Sequence, residues 1–412
     1  MRYATEERPA KTQTTSSPTT TDLSRGARVE PLDGLRTVAI AFVVFYHLHV
    51  PFFGGGFIGV NIFFALSGYL ITSILLRERA STGRIQLGRF WLRRIIRLYP
   101  VLIAVVVVVV FLWSTIAVYS KSNVDSWFDA ALALSYVGNI ARWIWHSSMG
   151  PLAPTWSLAM EEQFYLVWPP LLAALLAKRA RHIGMILVAS LLVVGSAVAS
   201  WLMYRTPGGG ATPDIYFSPV LNVGPLLTGA ILALLLRWPR VRARLAGRTG
   251  TWLAGTGAAF LVAVELWMPS DWTRQSEVFG IILPLVGVAS AMLIGGLVTR
   301  RTVAARALAL RPVAWFGRNA SYSLYLWHVP IIALILPLVP GPAGVIAAIA
   351  ASVLVAIASH YAIERPFARL KNRLEPRLVG GRRPGPTREV RHIDPLAFRE
   401  GRYASPQGGI SR

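Results

Sequence analysis

The chain has 412 residues, 54% of them hydrophobic and only 15% charged, well under the charged fraction of about 25% in an ordinary soluble domain, so most of it must lie in lipid. Its net charge of +23 would suggest nucleic acid in a soluble protein, but here the basic residues fall in loops between apolar runs, which excludes that partner. The absence of cysteine excludes disulfides, thiolate nucleophiles and zinc-thiolate centres, and no metal site is expected.

Residues 1–30 are rich in Ser and Thr and lack an apolar core, which predicts a disordered cytoplasmic arm rather than a cleaved signal peptide. Ten apolar segments follow, over 37–51, 57–76, 98–119, 156–177, 183–204, 217–236, 251–268, 278–298, 320–338 and 342–362. Several approach the roughly 20 residues that cross a bilayer, and lipid offers no water to an open backbone, so helices are expected. Continuous runs such as "VLIAVVVVVVFLW" contradict the apolar-polar alternation of a transmembrane barrel. The predicted fold is therefore all-α, a polytopic bundle of about ten transmembrane helices over residues 31–367. With the N-terminus inside, 38 of the 42 Lys and Arg residues fall on the cytoplasmic side, which predicts cytoplasmic N- and C-termini and a multi-pass protein of the inner (plasma) membrane. Residues 368–412 read as a basic, flexible cytoplasmic tail that could lie near anionic lipid.

The first segment, "LDGLRTVAIAFVVFYHLHV", carries the first candidate residues. With Asp33 as N-cap, Arg36 sits at the cytoplasmic end and His47 follows about 16 Å along the axis, near the bilayer midplane and on the same helix face. An ionisable group at that depth is costly and marks a functional candidate, and imidazole can act as a general base without a permanent charge. His49 points elsewhere. The second segment opens on a tight turn at Gly54–Gly56 and places Asn61, Ser67 and Gly68 in an apolar helix. Asn61 could orient His47 or contact a substrate; Ser67 and Gly68 suit close helix packing. Before the third segment, "GRFWLRRIIRLYP" crowds Arg89, Arg93, Arg94 and Arg97 at helical spacing, and guanidinium forks match phosphate oxygens. Positive-inside topology also accounts for part of that charge.

Residues 120–155 hold Trp127, Trp143 and Trp145, which could stack on sugars or anchor the chain at a membrane boundary. "PTWSLAMEEQFYLVWP" then places Glu161 on the face of Ser157, Tyr165 and Trp168, with Glu162 on another. In "NASYSLYLWHVP", His328 lies about 15 Å beyond Arg318, at the depth of His47.

Taken in order, "LDGLRTVAIAFVVFYH", "GGGFIGVNIFFALSGYLIT", "FWLRRIIRLYP", "PTWSLAMEEQFYLVWP", "SYSLYLWHVP" and "YAIERPF" resemble the acyltransferase 3 family of polytopic bacterial membrane acyltransferases. The family's Arg and His, with ten residues between them, match Arg36 and His47. Its basic loop matches Arg93, Arg94 and Arg97; its "WSL..E" element matches Trp156, Ser157 and Glu161; its late Tyr and His match Tyr325 and His328. Many members carry Asp where this chain has Asn61, so a carboxylate partner for the histidine must come from Glu161 or is not needed. The appended hydrolase-like domain of some members is not expected from the short basic tail.

The resemblance implies O-acyl transfer, usually of acetyl, from acyl-CoA to a hydroxyl, often on a cell-surface sugar, polysaccharide or glycolipid. No permanently bound cofactor is expected; acyl-CoA (acetyl-CoA) is the donor substrate. In this reading Arg36, Arg93, Arg94 and Arg97 hold its phosphates. His47, Glu161 and His328 are the catalytic candidates, while Asn61, Ser67, Trp156, Ser157 and Tyr325 orient substrate. Family members also acylate cytoplasmic small molecules such as macrolides, and that branch stays open. A transporter would share the helices and basic loops but should show internal repeats, and no second copy of the Arg36 to His47 pattern is found. An inactive scaffold is the third class.

Overall fold

The computed structural model describes residues 29–115, 126–178, 182–205, 213–268, 278–299 and 302–378. Among the described residues every regular element is helical. In chain order these are α1 (Glu30–His47), α2 (Ile58–Thr82), α3 (Leu87–Thr115), α4 (Ser126–Leu134), α5 (Gly138–Ile144), α6 (Thr155–Ala177), α7 (His182–Arg205) and α8 (Pro219–Leu235). They continue with α9 (Pro239–Ala246), α10 (Arg248–Trp267), α11 (Leu283–Thr299), α12 (Val303–Leu308), α13 (Arg311–Asn319), α14 (Ser321–Ile335), α15 (Pro342–Ser359) and α16 (Arg365–Leu378). Short 3-10 turns at Gly150–Leu152 and Pro213–Phe217 precede α6 and α8, and π-helical turns at Val278–Ile282 and His360–Glu364 lead into α11 and α16.

Each of the ten apolar segments falls at least in part on one of these helices, yet among the described residues only six stretches are long and apolar enough to cross a membrane: α2, α3, α7, α10, Val278–Thr299 and Pro342–Lys371. A seventh arises if α8 and α9, bent by 103° at their junction, count as one span. Reaching ten requires α1, α6 and α14 to cross as well, and these carry the polar residues singled out above. Large apolar side chains on the outside of α3 (Val107, Phe111) and α7 (Leu187, Leu191, Val194) are more than half exposed, as a lipid-facing surface requires. The protein is membrane-embedded. Residues 1–28 of the expected N-terminal arm and 379–412 of the expected tail lie outside the described residues. Residues 368–378, expected to belong to a flexible tail, are helical in α16.

α1 differs from its expected form. It starts at Glu30 after an N-cap at Val29, with Pro31 in its first turn, so Asp33 is not the cap but a buried first-turn residue 3.8 Å from Arg36. It also ends at His47, four residues before the apolar run does.

Glycines set the depth of each helix. A Cβ on Gly59 would lie 2.3 Å from the Ala39 carbonyl oxygen and one on Gly56 2.2 Å from that of Phe42, so α1 and α2 run antiparallel with Arg36 level with about Ile62. α2 therefore overhangs the start of α1 by about fourteen residues, roughly 21 Å. Gly68 meets the Leu226 carbonyl and Gly229 the Ala65 carbonyl in the same way, a reciprocal small-residue crossing that brings α2 and α8 into backbone contact. The packing expected of Gly68 is thus real. Ser67, beside it, faces the other way.

Candidate active site

Ser67 Oγ donates to Glu161 Oε1 (2.9 Å) and Trp168 Nε1 donates to Thr72 Oγ1 (2.8 Å). These two bonds hold α2 and α6 parallel and in register. Between them, α1, α3 and α14 lies a cavity of about 600 Å³. Along the α2 wall it runs from Val60 to Arg77, about 26 Å at 1.5 Å per residue.

The polar lining is graded with depth. At the deep end Tyr325 donates to the Pro154 carbonyl (3.0 Å), is hydrogen-bonded to Ser157 and packs its ring 6.4 Å from Phe63. One turn further toward the mouth, Glu161 accepts from both Ser67 and Tyr165 (2.9 Å each). A further turn on, Arg94 covers the Tyr165 ring at 4.6 Å. Arg36 and Arg97 join Arg94 in one electrostatic group, and Arg97 is solvent-accessible through the cavity it lines. Asp33 and Glu161 are the only acids among the lining residues, against six arginines. A strongly positive cavity of this kind suits a polyanion.

Beyond Tyr325 lie the histidines. The His328 ring is fully buried, 5.7 Å from the ring of Tyr325 and 5.0 Å from that of His47. His47 Nδ1 sits 2.8 Å from the Val43 carbonyl and His328 Nδ1 2.7 Å from the Tyr325 carbonyl. A carbonyl can only accept, so both rings carry their proton on Nδ1 and keep a bare Nε2. The Nε2 of His328 has no hydrogen-bond partner, and neither does the buried Asn61 Oδ1. Phe57 and Phe64, which flank Asn61 on one face of α2, pack against Tyr216 and Trp156 respectively, and those two rings stack edge-on at 5.0 Å. Buried polar atoms without partners are rare, and such a group of them marks room for a polar ligand or water.

The sequence-predicted residues thus divide. Arg36, Arg94, Arg97, Ser67, Ser157, Glu161 and Tyr325 line the cavity; Arg93 does not. His47 and His328 lie next to each other but behind Tyr325, outside the cavity lining. Glu161 does not orient either histidine: its oxygens are engaged by Ser67 and Tyr165, and backbone carbonyls hold the imidazoles. Asn61 makes no hydrogen bond to His47 through its Oδ1. His47 closes α1 rather than lying mid-helix, because the helix starts early and stops early. Trp156 is packed among Phe64, Tyr216 and Phe217. Trp127 and Trp145 are largely exposed.

Three arginines of the cavity escaped the sequence reading, and Tyr165 entered it only as a neighbour of Glu161 on one helix face. Arg77, Arg237 and Arg242 also line the cavity, but in sequence they are ordinary loop charges. At the opposite end, Arg142 stacks 4.0 Å over Phe217; burial pulls its guanidinium below the usual arginine value, opposed by Asp214 and Asp129.

Comparison with known proteins follows the same line. The family model of an acyltransferase domain, Acyl_transf_3, matches residues 30–362. A Bacillus subtilis protein named "Putative peptidoglycan O-acetyltransferase YrhL" is 37% identical over 327 residues, covering 74% of this chain and 49% of its own. The peptidoglycan O-acetyltransferase OatA of Listeria monocytogenes is 32% identical over 352 residues, 82% of this chain and 56% of its own. A Staphylococcus aureus protein named "Putative O-acetyltransferase SACOL0978" is 33% identical over 320 residues, 74% and 50% of the two chains. The chain spans about half the length of the curated relatives it matches. No solved structure matches.

Proposed function

The chain belongs to the acyltransferase 3 family, and from that premise we propose that it is a membrane O-acetyltransferase which moves an acetyl group from acetyl-CoA to a sugar hydroxyl of the cell wall. The observation that carries this reading is the graded cavity: arginines at one end, then Glu161 and Ser67, then Tyr325 and Ser157, with two imidazoles immediately beyond. Relatives named as peptidoglycan O-acetyltransferases favour a peptidoglycan sugar over a small cytoplasmic acceptor.

In this mechanism Arg36, Arg94 and Arg97 hold the diphosphate of the donor with charge-assisted bonds. The pantetheine arm runs past Glu161 and Ser67, and the thioester reaches Tyr325, about 12 Å along α6 from the level of Arg94. The acceptor hydroxyl comes from the histidine end. His47 Nε2 takes its proton as the oxygen attacks the thioester carbonyl carbon; the C–S bond then breaks and the CoA thiolate recovers the proton from the imidazolium. His328, whose bare Nε2 has no other partner, accepts from the protonated His47 and holds it in place. Transfer is direct, without an acyl-histidine.

Ten spans with both termini in the cytoplasm complete the reading. The basic mouth then opens to cytoplasmic acyl-CoA, with 38 of 42 basic residues on that side, and the plasma membrane is the site of action. Purified protein given acetyl-CoA and a muropeptide acceptor should release free CoA thiol and acetylated sugar. Thiol release that ignores the acceptor, or none at all, overturns the assignment. Label retained on the protein after acetyl-CoA alone overturns direct transfer.

A further inference from the structure

The six arginines of the cavity form two groups at different depths. Arg36, Arg94 and Arg97 interact with one another beside Tyr165, which lies level with about residue 70 of α2. Arg77 lies about seven residues further toward the mouth, some 10 Å, on the stretch of α2 that overhangs α1. Arg77 and Arg242 both act on the Tyr69 phenol, and Arg237 lines the same rim. Arg237 and Arg242 reach that rim because the chain bends by 103° between α8 and α9.

Positive-inside topology does not account for this placement. Of the four arginines between Arg237, two residues before α9, and Arg244 within it (Arg237, Arg240, Arg242 and Arg244), only Arg237 and Arg242 line the cavity. The two acids of the lining are already engaged deeper down, Asp33 beside Arg36 and Glu161 by Ser67 and Tyr165. Among the described residues no ion pair neutralises Arg77, Arg237 or Arg242; Arg77 Nε only donates to the Ser73 carbonyl of its own helix (3.2 Å). An aqueous rim with three convergent, uncompensated guanidinium groups is built for a phosphate.

We propose that Arg77, Arg237 and Arg242 form a second phosphate subsite at the mouth of the cavity, which binds the 3′-phosphate of the CoA donor while Arg36, Arg94 and Arg97 bind its diphosphate. This rests on the acyl-CoA reading above and makes it specific. In CoA the ribose 3′-phosphate lies on the far side of the diphosphate from the thiol. From mouth to depth the order 3′-phosphate, diphosphate, pantetheine, thioester matches the order Arg77 with Arg242, Arg94 with Arg97, Glu161, Tyr325. The subsite gives the protein a means of preferring CoA thioesters over pantetheine or dephospho-CoA thioesters.

The test is calorimetric binding of CoA and 3′-dephospho-CoA to the full-length protein in nanodiscs. The wild type should prefer CoA by about tenfold or more, the worth of one lost charge-assisted contact or two. Arg77→Gln with Arg242→Gln should abolish that preference by weakening CoA alone. Arg94→Gln should weaken both ligands alike and keep the ratio, which also controls for misfolding. A double variant that retains the wild-type ratio, or a wild type that binds both ligands equally, overturns the subsite and leaves the donor reading standing. A wild type that binds neither overturns both.

Discussion

The two ends of the cavity axis treat polar groups in opposite ways. At the basic end there are six guanidinium groups, solvated or stacked on rings, with two acids that have partners. At the histidine end the one nearby cation, Arg142, is stacked on Phe217 and faces Asp214 and Asp129, and around the imidazoles the polar atoms are few and partly without partners. The first arrangement attracts and holds a charged ligand; the second keeps neutral bases dry, where a proton transfer loses least to water. In the proposed function binding and chemistry are therefore separated along one axis, and the separation can be broken from either end.

The largest effect is expected at the histidine end. His47→Gln keeps a polar side chain of similar size and removes the base, so turnover should fall by about 10² to 10⁴, while acetyl-CoA affinity, measured calorimetrically, stays at the wild-type value. A variant that turns over normally would move the base elsewhere, and His328 is then the first candidate. His328→Gln should cost less, because that ring supports the protonated base and does not meet the acceptor.

At the basic end the effects should be smaller and of a different kind. Arg94→Gln or Arg97→Gln should raise the apparent KM for acetyl-CoA by about ten- to a hundredfold, from about 1.5–3 kcal/mol per charge-assisted contact, with kcat much less affected. Arg93→Gln, one residue away but outside the cavity lining, should shift KM far less. Equal effects of Arg93→Gln and Arg94→Gln would show that the loop acts through its overall charge, and would dissolve the contrast between the two ends.

The difference between the ends also explains what was legible in the sequence. Apolar runs of membrane length announce helices by composition alone, and "RRIIR" announces a guanidinium cluster because it is local. Which of those arginines faces the cavity is not local, since it depends on the depth of α3 against α6. Arg77 and Arg242 were invisible for the same reason: 165 positions separate them in sequence, and the α2 overhang and the α8–α9 bend bring them together. The pairing of His47 with His328 was half legible, since equal depth followed from counting residues, whereas ring contact needed the packing of α1 on α14. The carbonyls that orient the imidazoles were not legible at all, because any residue type supplies them. The Asn61 departure consequently suggested a missing carboxylate that this geometry does not require.

The smallest effect is expected from the nearest neighbour of the base. His49 follows His47 by two residues, yet α1 has already ended; its backbone is left-handed at φ 52° and its side chain is exposed. A helical-wheel argument that turns it away from His47 reaches the right outcome by a route the structure does not follow, since His49 is not on the helix. Its ring lies beyond the dry pocket, so it can neither take the acceptor proton nor support the imidazolium. His49→Gln should leave kcat and KM within about twofold of wild type, the range of an ordinary surface substitution. His49→Gly, which relaxes the left-handed backbone, should be equally silent in turnover and no less stable to heat. A loss of turnover in His49→Gln that His49→Gly shares would place an imidazole outside the pocket in the proton path, and the sharp boundary between the wet turn and the dry histidine pair would have to be redrawn one residue further out.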